Sequence, residues 1–207
     1  MLFRSPQKGI QFEVGLKHNL NDALAVTVTP YAIYNRNEIY VDPNLGINTN
    51  YERTRRLGVE FGEEMDLLKL LNIHALDKLN FRVSYTYQRP QFDGGAYDKK
   101  DIPAVPRDQY NVGLLGKVWD HYNFALIGNY VGKQFLISDH DNSLPPLEHY
   151  FTMDTKLSYE AKNFEIYGAV GNIFNQLYSS VGVDSFGSSA FYPSPGRNFN
   201  VGMNIKF

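Results

Sequence analysis

Apolar and polar residues alternate along almost the whole chain, and the alternation is clearest at the C-terminal end. The last twelve residues read GRNFNVGMNIKF, and from Asn198 onward every second position is apolar and the positions between are polar or glycine. The apolar positions are Phe199, Val201, Met203, Ile205 and Phe207. Because successive side chains of a β-strand point to opposite faces, this stretch predicts a strand with one apolar face.

The same two-residue period recurs from end to end and predicts about nine strands. We place them near residues 10–17, 23–39, 57–62, 79–88, 109–118, 122–130, 151–160, 164–170 and 198–207. Short connections are expected near 19–22, 119–121 and 161–163, and long ones rich in Gly, Pro, Asp, Asn and Ser near 41–50, 90–106, 134–148 and 174–195. Short turns on one side and long loops on the other are typical of an outer-membrane β-barrel.

One connection on the short side has a different pattern. Residues 63–78 read EEMDLLKLLNIHALDK, and Met65, Leu68 and Leu71, with Leu67, have the spacing of a short amphipathic helix. We predict one helical insert near residues 64–76, at the rim of the barrel. It is too short to cross a bilayer.

Composition and charge limit the classes of protein to which the chain can belong. It has 207 residues, no cysteine and a net charge of -2, with 15 Tyr, 14 Phe and a single Trp. The absence of cysteine excludes disulfides, and the charge argues against a nucleic-acid partner. The first fifteen residues lack the basic and apolar regions of a secretory signal, so an exported chain would have its true N-terminus elsewhere.

A soluble β-sandwich also alternates, and the distribution of aromatic residues favours the membrane barrel over it. If strand directions are assigned from the loop lengths, one group of aromatics gathers at the short-turn end: Trp119, Tyr122, Phe124, Tyr159, Phe164 and Phe207. A second group gathers toward the long-loop end: Tyr34, Tyr85, Tyr87, Tyr110, Tyr130, Phe151 and Phe199. Two aromatic girdles around an aliphatic band are typical of a barrel that crosses a bilayer.

Several segments then resemble one family. KGIQFEVGLKH, YERTRRLGVEFG, IPAVPRDQYNVGL, MDTKLSYEAKNFEIYGAVGNIFNQLY and PGRNFNVGMNIKF are similar, in this order, to strands in the C-terminal half of TonB-dependent outer-membrane receptors. The resemblance implies an all-β, transmembrane, antiparallel up-and-down β-barrel. The complete barrel would have 22 strands, of which the nine here would be the C-terminal part.

The resemblance also carries expectations about location and partners. The whole of residues 1–207 would be barrel, and the plug domain and the N-terminal strands would be absent from this chain. The expected partners are lipid of the Gram-negative outer membrane, the energy-transducing TonB protein through the missing plug, and a small ligand, most often a ferric siderophore. The alternating C-terminal strand, Phe199 to Phe207, would be the signal that the outer-membrane assembly machinery reads.

Two loop clusters are weak candidates for ligand contacts. Asp139, His140 and Asp141 in SDHDN could bind a metal, although adjacent residues rarely converge on one ion, and a solvated loop is the preferred interpretation. Phe186, Phe191 and Tyr192 could stack on a siderophore or pack their loop against its neighbours, and packing is preferred. No motif indicates a cofactor, a metal centre or a catalytic group, so an enzyme is not expected.

Three alternatives to siderophore uptake stay open at this stage. The chain could belong to a receptor for cobalamin, to a passive porin-like or structural barrel, or to a soluble ligand-binding barrel. The sequence does not identify the ligand.

Overall fold

The computed structural model describes residues 5–42 and 44–206, which form an almost purely β structure. The strands are β1 (Lys8–Glu13), β2 (Leu16–Asn21), β3 (Leu24–Asp42), β4 (Ile47–Asp66), β5 (Lys78–Phe92), β6 (Asp108–Val118), β7 (Tyr122–Val131), β8 (Tyr150–Glu160), β9 (Phe164–Gly171), β10 (Ser179–Ser185), β11 (Ser188–Pro193) and β12 (Asn198–Ile205). One helix, α1 (Leu67–Leu71), lies between β4 and β5.

The strands form one antiparallel meander in the order β1-β3-β4-β5-β6-β7-β8-β9-β12, while β10 and β11 form a separate hairpin. Strands β1 and β2 both pair with β3, at residues 31–36 and 24–28 respectively, so they lie end to end and form one track of the sheet. The N–H of Val14 still donates to Pro30 O over 3.2 Å between them. Proline has no N–H to return the second bond, which explains the interruption. Counted as one track, β1 and β2 bring the sheet to the nine predicted strands.

The two faces of the sheet differ in polarity, as the alternation predicts. Directly opposite residues on antiparallel strands share a face. One such row crosses five strands on the face that we call the outer face: Phe61, Tyr85, Tyr110, Tyr130 and Phe151. The adjacent row on the opposite, inner face is polar: Gly62, Ser84, Asn111, Asn129 and Thr152. The all-β, antiparallel, two-faced fold predicted from the sequence is confirmed.

The connection predicted as a long loop near residues 41–50 is instead a tight turn. Strand β3 continues to Asp42 and β4 begins at Ile47, which leaves only residues 43–46 between them. Asp42 closes the turn, since its carboxylate accepts the N–H of Asn44 (2.9 Å) and its carbonyl accepts the N–H of Gly46 (2.8 Å). The Asp, Asn and Gly residues that suggested a loop are here the residues of a turn.

The helical insert is present but shorter than predicted. Residues 64–66 belong to β4, and Met65 lies opposite Leu24 and Phe81 in the sheet. The helix begins after Asp66, whose carboxylate accepts the N–H groups of Leu68 and Lys69. No helix within residues 5–42 or 44–206 is both long enough and apolar enough to cross a membrane.

The buried apolar core lies at the long-loop end and not between the strands. The most buried apolar side chains are Leu136, Phe92, Ile102, Ala23 and Leu147. Of these, only Ala23 lies at the short-turn end, beside β3. In contrast, outer-face side chains of the sheet are widely exposed, for example Leu157 and Val201. The sheet therefore presents an apolar surface, and the loops carry their own packed core.

Candidate ligand-binding cap

The long loops join into one unit above the sheet, which we call the external cap (residues 93–107, 132–149 and 172–197). Ala104 N–H donates to Phe135 O over 2.9 Å, which links the first loop to the second. Ile137 N–H donates to Gly182 O (2.8 Å), and Asp184 N–H donates to Ile137 O (2.9 Å). These bonds link the second loop to β10, and Leu136, only 1% exposed, is buried at this junction.

A ring cluster lies where the cap meets the long β3–β4 hairpin. We call it the aromatic cluster, and its members are Tyr40, Tyr51, Phe92, Tyr97 and His140. Tyr40 and Tyr51 stack with ring centroids 3.9 Å apart. The His140 ring stands edge-on to both, at 5.2 and 5.4 Å, and its Nε2 lies 3.1 Å from the Tyr51 hydroxyl. Offset and edge-to-face ring pairs of this kind stabilise a cluster beyond their apolar area.

Burial decides the protonation of His140. Loss of water lowers the pKa of His140, and the nearby carboxylates Asp42, Asp139 and Asp141 only partly offset this effect. The neutral imidazole is therefore the favoured form at neutral pH. It can share a hydrogen bond with the Tyr51 hydroxyl in either direction, according to its tautomer.

A charged layer lies beside the aromatic cluster. Glu38 accepts two hydrogen bonds from Arg56, at 2.5 and 3.0 Å, and one each from Thr54 and Asn35. The side chains of Glu38 and Arg56 are each 16% exposed. This pair fixes an arginine on the inner side of the β3–β4 hairpin, where solutes would approach the cap. A half-buried, hydrogen-bonded ion pair of this kind is a positioned group and not a free charge.

A second ion pair lies within the first loop, and a side chain of the second loop bonds to the backbone of Asp101. Arg107 donates two hydrogen bonds to Asp101, at 2.9 and 2.8 Å, and this contact raises the pKa of Arg107. The side chain of Asn142 holds the backbone of Asp101, accepting its N–H over 2.7 Å. The aromatic rings, the two arginines and ordered loop backbone therefore lie together where the cap meets the ends of β3, β4 and β5.

The three predicted donors in SDHDN do not converge on one point, because the two aspartates bond to Ser143 and the histidine turns toward the aromatic cluster. The Asp139 carboxylate is buried, at 3% exposure, and accepts the N–H groups of Ser143 (2.9 Å) and Leu144 (3.2 Å). His140 belongs to the aromatic cluster, while Asp141 accepts the Ser143 hydroxyl (3.0 Å), which lowers the pKa of Asp141. In the part of the chain that the structure describes, no three His, Asp or Glu side chains are grouped to hold a metal ion.

The other predicted loop aromatics lie in the β10–β11 hairpin and keep large exposed surfaces. Phe186, at the tip of the hairpin, is 84% exposed, and Phe191 and Tyr192 are each more than half exposed. The hairpin is tied to the β3–β4 turn, because Asn44 Oδ1 accepts the N–H of Phe186 over 2.9 Å. Packing of these rings against neighbouring loops is therefore only partial.

The predicted girdle residues form two ring series on the outer face. Toward the cap, Tyr85 stacks on Tyr110 at 4.3 Å, and Tyr110 meets Tyr130 at 5.5 Å, in the row that ends at Phe151. Tyr87 is the next outer-face residue after Tyr85. At the short-turn end, the contacting pairs are Trp119–Tyr122, Tyr122–Tyr159 and Tyr159–Phe164, at 6.0, 5.2 and 6.1 Å.

The apolar side chains of the last strand lie on the same outer face. Phe199, Val201, Met203 and Ile205 are exposed by more than half. Phe207, predicted as the end of the same series, lies outside the described residues. Sequence reasoning missed Tyr40, Tyr51, Phe92 and Tyr97, the tyrosine and phenylalanine members of the aromatic cluster. The available signal was their position next to turn-forming Asp, Asn and Gly residues at strand ends.

Comparison with known proteins identifies the family to which the chain belongs. Residues 3–173 match the profile described as TonB dependent receptor-like, beta-barrel. The fold is similar to the ferric-catecholate import receptor Fiu from K12 E. coli in its closed form (22% identity, 98% of this chain, TM-score 0.72). It is also similar to the ferric yersiniabactin uptake receptor FyuA from Yersinia pestis (20%, 97%, 0.76) and to the copper transporter OprC (18%, 99%, 0.76). The chain spans 28%, 30% and 32% of the lengths of these three proteins.

Proposed function

The chain belongs to the TonB-dependent receptor β-barrel family, and we propose that it forms part of the wall and the external cap of a receptor that imports a bulky, scarce nutrient. The family consists of receptors of the Gram-negative outer membrane and not of enzymes. The match over residues 3–173 is the observation that carries the proposal. The outer face would then meet lipid, and the inner face would line a wet lumen.

The energy source and the missing parts follow from the same premise. The chain spans about a third or less of the solved receptors it resembles, so we propose that the complete receptor adds further strands and a plug domain. Import would be driven through contact of the plug with TonB. The nine strands described here would contribute a section of the wall, and the three long loops would contribute the entrance.

A ferric siderophore is the proposed nutrient. Such ligands are bulky, often carry aromatic rings, and are frequently anionic as iron complexes. The aromatic cluster offers ring edges, and the Arg56–Glu38 and Arg107–Asp101 pairs offer positioned polar groups at the same entrance. Two of the solved structures with this fold are named as receptors for ferric ligands, which supports the same class.

Growth complementation tests the nutrient. A strain that lacks its own receptors would carry the full-length gene and be supplied with a panel of ferric siderophores, and separately with cobalamin as the limiting nutrient. We expect growth on at least one ferric siderophore. Growth on cobalamin alone, with no rescue by any iron complex, would contradict the siderophore class while leaving the receptor assignment in place.

Deletion of the TonB gene in the same strain tests the energy source. We expect rescue to be lost, because an energised receptor does not release its ligand inward without TonB. Rescue that persists in the TonB-deficient strain would indicate a passive porin-like barrel instead.

A further inference from the structure

A group of basic residues occupies the outer face near the external cap. Lys8, Arg36 and Arg53 lie directly opposite one another on β1, β3 and β4. Arg55 is the next outer-face residue of β4, opposite Tyr34, and Arg89 of β5 lies opposite Leu57. Because opposite residues of antiparallel strands share a face, all five belong to one surface, which we call the cationic patch.

The cationic patch begins where the aromatic girdle ends. On β3, Arg36 is the next outer-face residue beyond Tyr34, and on β5, Arg89 is the next beyond Tyr87. On β1, Lys8 stands in the same relation to Ile10. Girdle aromatics lie at the boundary between hydrocarbon and headgroups, so residues one step farther toward the loops lie at headgroup level.

Most of these charges are not neutralised by the chain itself. Within residues 5–42 and 44–206, neither an ion pair nor a side-chain hydrogen bond engages Lys8, Arg36, Arg53 or Arg89. Arg55 is different, because its Nη1 lies 3.6 Å from Asp93 Oδ1 and its Nη2 donates to Gln91 Oε1 over 3.3 Å.

The arrangement favours an external anion. Like charges directly opposite each other on a sheet repel, so the row Lys8–Arg36–Arg53 is unfavourable unless an anion lies across it. Gly94, at φ +118°, lies against the Arg53 guanidinium, and any side chain at that position would collide with it. The Arg53 head therefore lies beside the backbone of Gly94 while the residue remains exposed to solvent.

We propose that the cationic patch binds the phosphate groups of a phosphorylated glycolipid in the outer leaflet of the membrane. Guanidinium groups match phosphate oxygens with paired hydrogen bonds. Neighbouring strands lie about 4.8 Å apart, so the row across three strands is about 10 Å wide and accommodates more than one phosphate. Below the patch, Ile10, Tyr34 and Leu57 are exposed and would lie beside the acyl chains of the same lipid.

The site is separate from nutrient import. The patch is on the outer face, whereas the aromatic cluster and the Glu38–Arg56 pair lie at the entrance of the lumen. The proposal depends on the outer-membrane barrel and not on which nutrient the receptor carries.

Lipid binding to the purified full-length receptor tests the proposal. The probe is lipid A with two phosphates, compared with the same lipid after removal of its phosphates, and the readout is the lipid bound per receptor in detergent. The patch variant carries Arg36→Gln, Arg53→Gln and Arg89→Gln. Each cation near an anionic lipid surface contributes about fivefold to affinity, so we expect the patch variant to bind about a hundredfold more weakly.

A charge-matched variant serves as the control. Lys78→Gln, Lys117→Gln and Lys162→Gln remove the same charge at the short-turn end of the sheet, far from the patch, and we expect unchanged binding. Equal binding by the wild type and the patch variant would contradict the proposal. So would an equal loss in the control variant, or equal binding of the dephosphorylated lipid. If the patch variant does not assemble, the single change Arg53→Gln is expected to weaken binding about fivefold, and unchanged binding by that variant would also overturn the proposal.

Discussion

Residue His140 shows how a single side chain takes its role from partners distant in sequence. SDHDN suggested a group of donors, but only the histidine turns away from its neighbours: Asp139 and Asp141 both accept hydrogen bonds from Ser143 in their own loop, whereas His140 joins the aromatic cluster. The partner of His140, Tyr51, is 89 positions away. No local pattern reports such a contact, which is why the sequence identified the candidate donors but not their surroundings.

The burial of His140 gives the cap a pH dependence. The pKa of His140 is lowered in the folded cap, so an opened cap binds a proton more readily than the closed cap does. The stability from the neutral ring is fully present above the usual His pKa of about 6.5 and is lost as the pH falls through the lowered folded value. After correction for intrinsic rates, we expect amides of residues 132–149 to exchange faster at pH 5 than at pH 7.5.

Two histidine variants make this measurement specific. His140→Gln removes the titrating group, and the difference in exchange between the two pH values should shrink. His149→Gln removes an exposed histidine, with 55% of its side chain accessible, and should keep the difference. An unchanged difference in His140→Gln would show that another group controls the opening.

At the scale of elements, alternation revealed the sheet because its physical cause is local. Each side chain of β5 or β8 reports its own face, so strand positions and the two-faced sheet followed from the sequence. The β10–β11 hairpin was missed because it lies in a Gly- and Ser-rich segment and stands outside the main sheet. The predictions of a long loop between β3 and β4 and of a longer α1 were wrong, because residues that are typical of loops also form tight turns and helix caps.

Close packing on the inner face predicts that Gly202 cannot be replaced by a larger residue without loss of folded receptor. Gly202 of β12 lies opposite Tyr167, and a Cβ added there would lie 2.5 Å from Cζ of the Tyr167 ring. The ring also lies 4.4 Å from Lys156 Nζ. Overpacking of this kind costs about 1–3 kcal/mol, so Gly202→Val in the full-length receptor should lower the heat-modifiable, folded fraction in outer membranes.

Gly168 provides the matched control on the neighbouring strand. It lies on β9 one residue from Tyr167, and a Cβ added there meets no atom within 4 Å. Gly168→Val should leave the folded fraction unchanged. Equal loss in both variants would indicate a general intolerance of β-branched residues at glycine positions, and not the contact with Tyr167.

For the whole molecule, the apolar stripe of β12 bears on how the receptor reaches its membrane. Phe199, Val201, Met203 and Ile205 form one exposed series, and Phe207 continues it in sequence. We propose that this strand is the assembly signal. Deletion of Phe207 is then expected to lower the amount of assembled full-length receptor severalfold, with little change in ligand affinity, when both are measured on outer membranes. The change Phe207→Tyr should retain assembly, and unchanged surface levels after the deletion would contradict the assignment.

The separate core of the external cap has a thermodynamic consequence. Leu136, Phe92, Ile102 and Leu147 are buried where water surrounds the cap, so their packing is held by the hydrophobic effect. Within residues 5–42 and 44–206 the wall has no such core, and its apolar surface is matched to hydrocarbon. Urea weakens burial from water but does not enter the hydrocarbon to the same extent. As the denaturant concentration rises, the entrance should therefore melt first, and the receptor should pass through a state with an intact pore wall and a disordered mouth.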